Sequence, residues 1–313
     1  MIVTHLSRRL RVVVAAVSGA LLAVTVLPAA LAQAAAQPHT WRVAVGQEWM
    51  HDAIQGMAFT PGTLWIDAGD SVSWKAKAGE IHTVTFLASG QSLPAFNPGD
   101  PAMLFPQGGS TYDGVSYYNS GILSDEADSG FPATTAYSLT FDTTGEFTYY
   151  CLVHGAMMKG VIHVRPAGTH YPLTQKQYDR QGARENAAIL KDGLQLWRAT
   201  KAQATRHTVV AGADDGMAMV MRFIRPTVHV RLGSTVTFVN TGMAAPHTIT
   251  FGPEQSNVFA PYGDPTHFTG QPLNSGILGP GGSFTVTFDQ KGTFPYICAL
   301  HDYLHMVGTV VVS

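Results

Sequence analysis

Short runs in which apolar and polar residues alternate recur along most of this chain, as in Ser71-Val-Ser-Trp, Thr235-Val-Thr-Phe-Val and Ser283-Phe-Thr-Val-Thr-Phe. Alternation with period two gives a strand one apolar face and one wet face, and Gly, Pro, Asn and Asp punctuate the runs as turn residues do. The pattern predicts an all-β chain built as antiparallel sandwiches. Between Pro172 and Lys201 the period changes. Ala183, Ala187, Leu190, Leu194 and Trp197 recur at spacings of four and three, and Thr174 stands where a helix cap belongs. An amphipathic helix packed against one or both sandwiches is expected there. Gly182 and Gly193 work against it, since glycine costs about 1 kcal/mol relative to alanine inside a helix.

The strand pattern is written twice. Thr63-Leu-Trp-Ile-Asp-Ala-Gly-Asp-Ser-Val-Ser-Trp74 aligns with Thr227-Val-His-Val-Arg-Leu-Gly-Ser-Thr-Val-Thr-Phe238, and Ile81-His-Thr-Val-Thr-Phe86 with Pro246-His-Thr-Ile-Thr-Phe251. Asn119-Ser-Gly-Ile-Leu123 recurs as Asn274-Ser-Gly-Ile-Leu278, and Leu139-Thr-Phe-Asp142 as Val286-Thr-Phe-Asp289. Equivalent points lie 147 to 165 residues apart, so these are duplicated domains rather than solenoid repeats of about 20 to 50 residues. The 313-residue chain therefore divides into a first Greek-key sandwich over 40–167, a helical linker over 168–203 and a second sandwich over 204–313. The first copy is longer through two insertions, Met103 to Ser116 and Ser124 to Thr134, both Gly/Ser/Asp-rich and expected as surface loops.

Residues 1–32 have the form of an export signal: Arg8, Arg9 and Arg11, an apolar run from Val12 to Leu27, and small residues ending Ala30-Leu-Ala32. Cleavage there would release a periplasmic or extracellular protein; retention would leave an N-terminal anchor. Beyond this segment acidic residues outnumber basic ones, so the chain carries no basic footprint for nucleic acid.

Candidate chemistry gathers at the end of each copy. Tyr296 to Gly308 holds Cys298, His301 and Met306 between two strand-like runs, and His247 lies upstream in Pro246-His-Thr-Ile-Thr-Phe. The first copy repeats this as Cys151 and His154 in Tyr149-Tyr-Cys-Leu-Val-His-Gly-Ala-Met-Met-Lys-Gly160, with His82 upstream. Two cysteines in an exported protein would ordinarily pair, but here they occupy the same position in two domains, each followed by His after two residues. A thiolate, two imidazoles and a weak thioether make the trigonal ligand set of blue copper sites. The residues resemble the cupredoxin family, plastocyanin and its relatives in particular, whose ligand loop reads Cys-x-x-His-x-x-x-x-Met-x-Gly. In the first copy Met158 matches the Met-x-Gly ending, whereas Met157 matches the shorter loop of amicyanin; alignment of Lys159-Gly160 with Val307-Gly308 favours Met158.

The resemblance implies two tandem cupredoxin β-sandwiches, each holding one type 1 copper, two per chain. The ligands would be His82, Cys151, His154 and Met158 in one, and His247, Cys298, His301 and Met306 in the other. It further implies single-electron transfer with redox protein partners, docking at an apolar patch around His154 or His301, and sites of unequal potential because the two loops differ. Copper binding and delivery is the alternative. Two-domain cupredoxin enzymes such as nitrite reductases and small laccases need further histidines beside the Cys and the first ligand His. Here Tyr150 and Ile297 precede the cysteines, and threonines follow His82 and His247, so an electron carrier rather than an oxidase or reductase is expected. His305, beside Met306, is the one remaining histidine singled out, as a tuning or partner-contact residue.

Overall fold

In the computed structural model, which describes Met1 and residues 37–313, the alternating runs become three sheets. The leader expected over 1–32 lies, Met1 apart, outside the described residues. The first copy closes a six-stranded sheet whose central members are Gly145–Cys151 and Gly155–Arg165, and the second a five-stranded sheet around Gly292–Ile297 and Val307–Val312. Each packs on its half of a nine-stranded sheet that runs through both copies. The sheets are mixed rather than purely antiparallel: Thr40–Trp49 pairs parallel with Ser71–Ala76, and Thr63–Asp67 with Gly155–Arg165, as do Thr208–Asp214 with Thr235–Val239 and Thr227–Val230 with Val307–Val312. Alternation reports that one face is buried; the direction of a neighbour is decided by connections that cross the sandwich, which it does not encode.

The join between the copies is a β-ladder. Ile54–Thr60 and Ala218–Ile224 pair antiparallel, with Ala218 opposite Gly56, Met219 opposite Gln55 and Val220 opposite Ile54. Met57 N–H donates to Met217 C=O at 2.9 Å, and Met221 N–H to Ala53 C=O at 3.0 Å. Phe59 and Phe223 are equivalent in the two copies, packing on Tyr149 and Tyr296 respectively. Counting back from them, Gln55 faces its own counterpart Met219, and the flanking rungs Gly56–Ala218 and Ile54–Val220 exchange with one another, so the seam has local two-fold symmetry. Two sheet edges that would each expose a row of unpaired backbone groups satisfy one another.

The helix Gln175–Lys201 covers this seam. Its Thr174 N–H donates to the Gln177 side chain at 2.8 Å, one half of a capping box. The buried face is Tyr178, Gly182, Ile189, Gly193 and Thr200, while Ala183 and Ala187 are exposed, so the stripe expected from apolar size is rotated by about one residue. The two glycines account for the difference. A Cβ at Gly193 would lie 2.6 Å from Cγ2 of Ile54, and one at Gly182 would lie 3.3 Å from the backbone of Thr60 and Pro61. They are the points where helix backbone meets sheet, a role that a search for large apolar residues passes over.

Each sandwich is filled by a matching set of aromatics: Trp74, Phe86, Phe141 and Tyr149 in one, Phe238, Phe251, Phe288 and Tyr296 in the other. The first insertion is more than surface, since it supplies Thr111–Tyr112 to a sheet edge and Tyr112 to the core. Met219 and Met221 are buried and Met217 exposed. Second-copy residues Met219, Met221, Ala245 and Leu304 pack with the first core, so the two copies share apolar burial as well as backbone pairing.

Gly193→Leu should lower stability by about 1 kcal/mol, the overpacking cost of about 1–3 kcal/mol outweighing the gain of up to about 1 kcal/mol in helix propensity. Denaturant unfolding measures it; a stabilised variant would show that helix and seam do not touch as described.

Candidate metal centres

The structure brings His82, Cys151 and His154 together in one buried cluster, and His247, Cys298 and His301 in another. Among the described residues these are the clusters of three or more His, Cys, Asp or Glu donors within 4.8 Å of one another. In the first, Cys151 Sγ lies 3.3 Å from His154 Nδ1 and 3.9 Å from His82 Nδ1, and the two Nδ1 atoms are 3.2 Å apart. In the second, Cys298 Sγ is 3.4 Å from His301 Nδ1 and 3.7 Å from His247 Nδ1. A trigonal ion with bonds of about 2.0 Å to nitrogen and 2.3 Å to sulfur needs donor separations of about 3.5–3.7 Å. Both triangles fit a copper ion, and both cysteines are free thiols rather than a disulfide.

Each donor arrives from a different part of the sandwich. His82 pairs with Leu123, and His247 with Leu278, as isolated bridges at the end of a strand. Cys151 and Cys298 end the strands carrying the loops. A backbone N–H points at each sulfur, from Thr83 at 3.4 Å and from Thr248 at 3.3 Å. The same threonines accept, through Oγ1, the N–H of the residue after each cysteine, Leu152 at 2.8 Å and Ala299 at 2.7 Å. Asn119 and Asn274, conspicuous in the repeat, accept from Thr85 and Thr250 Oγ1 and donate to two carbonyls each, Ala102 and Met103 in one copy and Val258 and Ala260 in the other. Donated hydrogen bonds to the sulfur and a fixed loop are what tune and hold a thiolate site.

Burial alone would push each thiol up, yet the facing imidazoles hold Cys151 and Cys298 well below the usual thiol range. His154 moves the opposite way: burial works against its protonated form, but the Cys151 thiolate and then Glu80 raise it to about 10. Each centre thus favours the deprotonated sulfur that a metal ion needs as a ligand.

Met158 and Met306 are fully buried in the same cores as Cys151 and Cys298, whereas Met157 is 41% exposed, with its sulfur near Gly216 of the second copy. Tyr149 stands opposite Gly160 and Tyr296 opposite Gly308, so Met158 and Met306 take the same ladder position, two residues before the glycine. A Cβ at either glycine would sit 2.3 Å from the tyrosine ring, which is why glycine ends both loops. His154 and His301 are buried rather than at an open apolar patch. His305 is exposed and its Nδ1 meets Asp52 Oδ2 of the first copy at 3.0 Å.

Sequence reasoning missed Gly46 and Gly212. Each is the bulge residue between ladder positions, at Val45/Gln47 and Ala211/Ala213, with φ of +69° and +70°. A Cβ would lie 2.4 Å from His82 Nε2 or 2.1 Å from His247 Nε2. The missing side chain is the space that lets each ring turn Nδ1 inward. The signal was present: both follow a short apolar run at the same point of the repeat.

A family model described as copper binding proteins of the plastocyanin/azurin family matches residues 47–165 and 207–313. A chloroplastic plastocyanin from Physcomitrium patens is 32% identical over 112 residues, 36% of this chain and 61% of that protein's own length. Plastocyanin A'/A'' from Nicotiana tabacum is 30% identical over 105 residues, 34% of this chain and 98% of that protein. Among solved structures, a purple cupredoxin from Nitrosopumilus maritimus is 23% identical over 34% of this chain and 98% of that one, with a TM-score of 0.24.

Gly46→Ala should displace His82, lose the first copper and leave the second, and Gly212→Ala the reverse, each with a stability loss of about 1–3 kcal/mol from the clash and the left-handed backbone. Copper content and thermal unfolding report both effects; unaltered loading would remove the glycines from the site.

Proposed function

Since the chain belongs to the plastocyanin/azurin family of copper-binding proteins, we propose that it is an exported blue copper protein that carries single electrons through one type 1 site in each sandwich. The ligands are His82, Cys151, His154 and Met158, and His247, Cys298, His301 and Met306. The observation that carries the reading is the pair of buried triangles, each of one thiol sulfur and two Nδ1 atoms at trigonal separations. Copper in such a set supplies a one-electron couple with a strongly coloured thiolate bond. The chain's own contribution is rigidity: a ring in each copy seated on glycine, a sulfur held by a backbone N–H, and a ligand loop pinned by the hydroxyl of Thr83 or Thr248. Donors that stay put when the charge at their centre changes make the change fast, because little has to reorganise.

Met158 rather than Met157 would supply the thioether, on the strength of its burial beside Cys151 and its match to Met306, each two residues before a glycine that faces a tyrosine. Export rests on the leader pattern ending at Ala32, and no helix among the described residues is long and apolar enough to cross a membrane. Redox protein partners are the expected donor and acceptor.

Copper analysis and visible absorption on the parent, Cys151→Ser, Cys298→Ser, Met157→Leu and Met158→Leu test the assignment. Two coppers in the parent and one in each Cys variant are expected, with part of the thiolate band lost each time. Met158→Leu should keep its copper and shift the first site's midpoint potential, while Met157→Leu leaves it unchanged. A colourless protein holding copper would point to delivery instead. The mass of the exported form should correspond to a chain beginning after Ala32; an intact N-terminus would contradict cleavage.

A further inference from the structure

The apolar surroundings of the two ligand loops do not face solvent separately. Ile81 and Val153 of the first copy and Pro246 and Leu300 of the second line one cavity of about 770 Å³, with Glu80 and His301 in its wall. Glu80 is buried, two residues before His82. Its Oε1 lies 3.6 Å from Nε2 of His154, long for a hydrogen bond and close for a buried charge pair, and its Oε2 is buried with no hydrogen-bond partner. A buried carboxylate is costly unless cationic or strongly polarised donors face it. His154 is the polarised donor on one side, and His301 of the other copy lines the same cavity wall.

The second ligand loop is fastened to this same region. A Cβ on Gly79, next to Glu80, would lie 2.8 Å from Cδ2 of Leu304, and Leu304 is buried with the first core. The Arg222 guanidinium donates to the carbonyls of both Leu304 and His51, and His305 meets Asp52. The second ligand loop is therefore packed against the residue before Glu80 and tied to the first copy beyond it.

We infer that the two centres form one electron-exchanging pair within the chain, with Glu80, which faces His154 of one and lines the same cavity wall as His301 of the other, as the positioning residue between them. The inference rests on the blue copper reading above. The exchange is a one-electron transfer in which one centre is oxidised as the other is reduced; no proton moves, no bond is made or broken and no outside reagent enters. The outer nitrogen of His154 faces the carboxylate directly, and a carboxylate behind a ligand imidazole makes it a stronger donor. Glu80 therefore favours the oxidised form at the first centre more than at the second.

Pulse radiolysis of the two-copper protein, with fewer electrons than sites, tests the pairing. Freeze-quenched paramagnetic resonance resolves the centres, each assigned from Cys151→Ser and Cys298→Ser, and potentiometry gives both midpoints. The parent should show a first-order redistribution between centres whose rate does not depend on protein concentration. Glu80→Gln, which preserves the shape, should alter that rate only by the small change in driving force and raise the first midpoint more than the second. Glu80→Leu should slow redistribution by about tenfold or more, the scale of losing an outer-shell partner. Redistribution that scales with protein concentration, or a fully loaded Glu80→Leu variant with parental rate and midpoints, would overturn the pairing. Absence of thiolate-to-copper bands from the parent would overturn the blue copper reading itself, which is a different failure.

Discussion

Everything in this structure answers to the difficulty of holding two imidazoles and a thiol within about 4 Å of one another in a place that water does not reach. Side chains so crowded and so desolvated do not gather by themselves; each is delivered by a different segment and held by neighbours that have nothing better to do. The strand-end histidine is aimed by a bulge glycine, the cysteine by the end of a strand and a backbone N–H, and the second histidine by a loop whose length is fixed between strands already in register. The β-sandwich supplies that over-determination, which an isolated loop with the same motif would lack.

The two copies solve the problem with the same parts, down to the threonines that anchor the residue after each cysteine. They differ in what surrounds the solution. The second loop is partly built into the first copy through Leu304 and His305, whereas the first loop meets the second copy through the exposed Met157 and through Val153 in the shared cavity. Equal inner geometry in unequal surroundings is a physical basis for centres that differ in potential.

How much of this was legible beforehand depended on whether the information is local. The ligand motif is local, and all six His and Cys donors were read from the two short segments and an upstream histidine in each copy. The buried methionine was within reach because the repeat supplies its own alignment, Gly160 against Gly308. The helix was legible as a helix, but its buried face was not, since Gly182 and Gly193 contribute by having no side chain, and absence leaves no hydrophobic signal. Glu80 was invisible for another reason: a carboxylate in a loop reads as solvated until the second copy is seen to lie against it. Parallel neighbours and the continuous sheet are likewise properties of how strands return across the sandwich, which no single run encodes.

The seam strands meet as identical subunits do across a dyad, with Gln55 facing its counterpart Met219 and the rungs on either side exchanged by the axis. In a homodimer of single sandwiches any feature near that dyad must occur twice or not at all. Joining the halves in one polypeptide lifts that restriction. At the position before Ile81 the first half has Glu80; at the matching position before Pro246 the second half has Ala245, which is buried with the first core. A symmetric pair would have forced two buried carboxylates into the same region, each repelling the other, or none. Fusion allows one, and so turns a palindrome into a molecule with a front and a back.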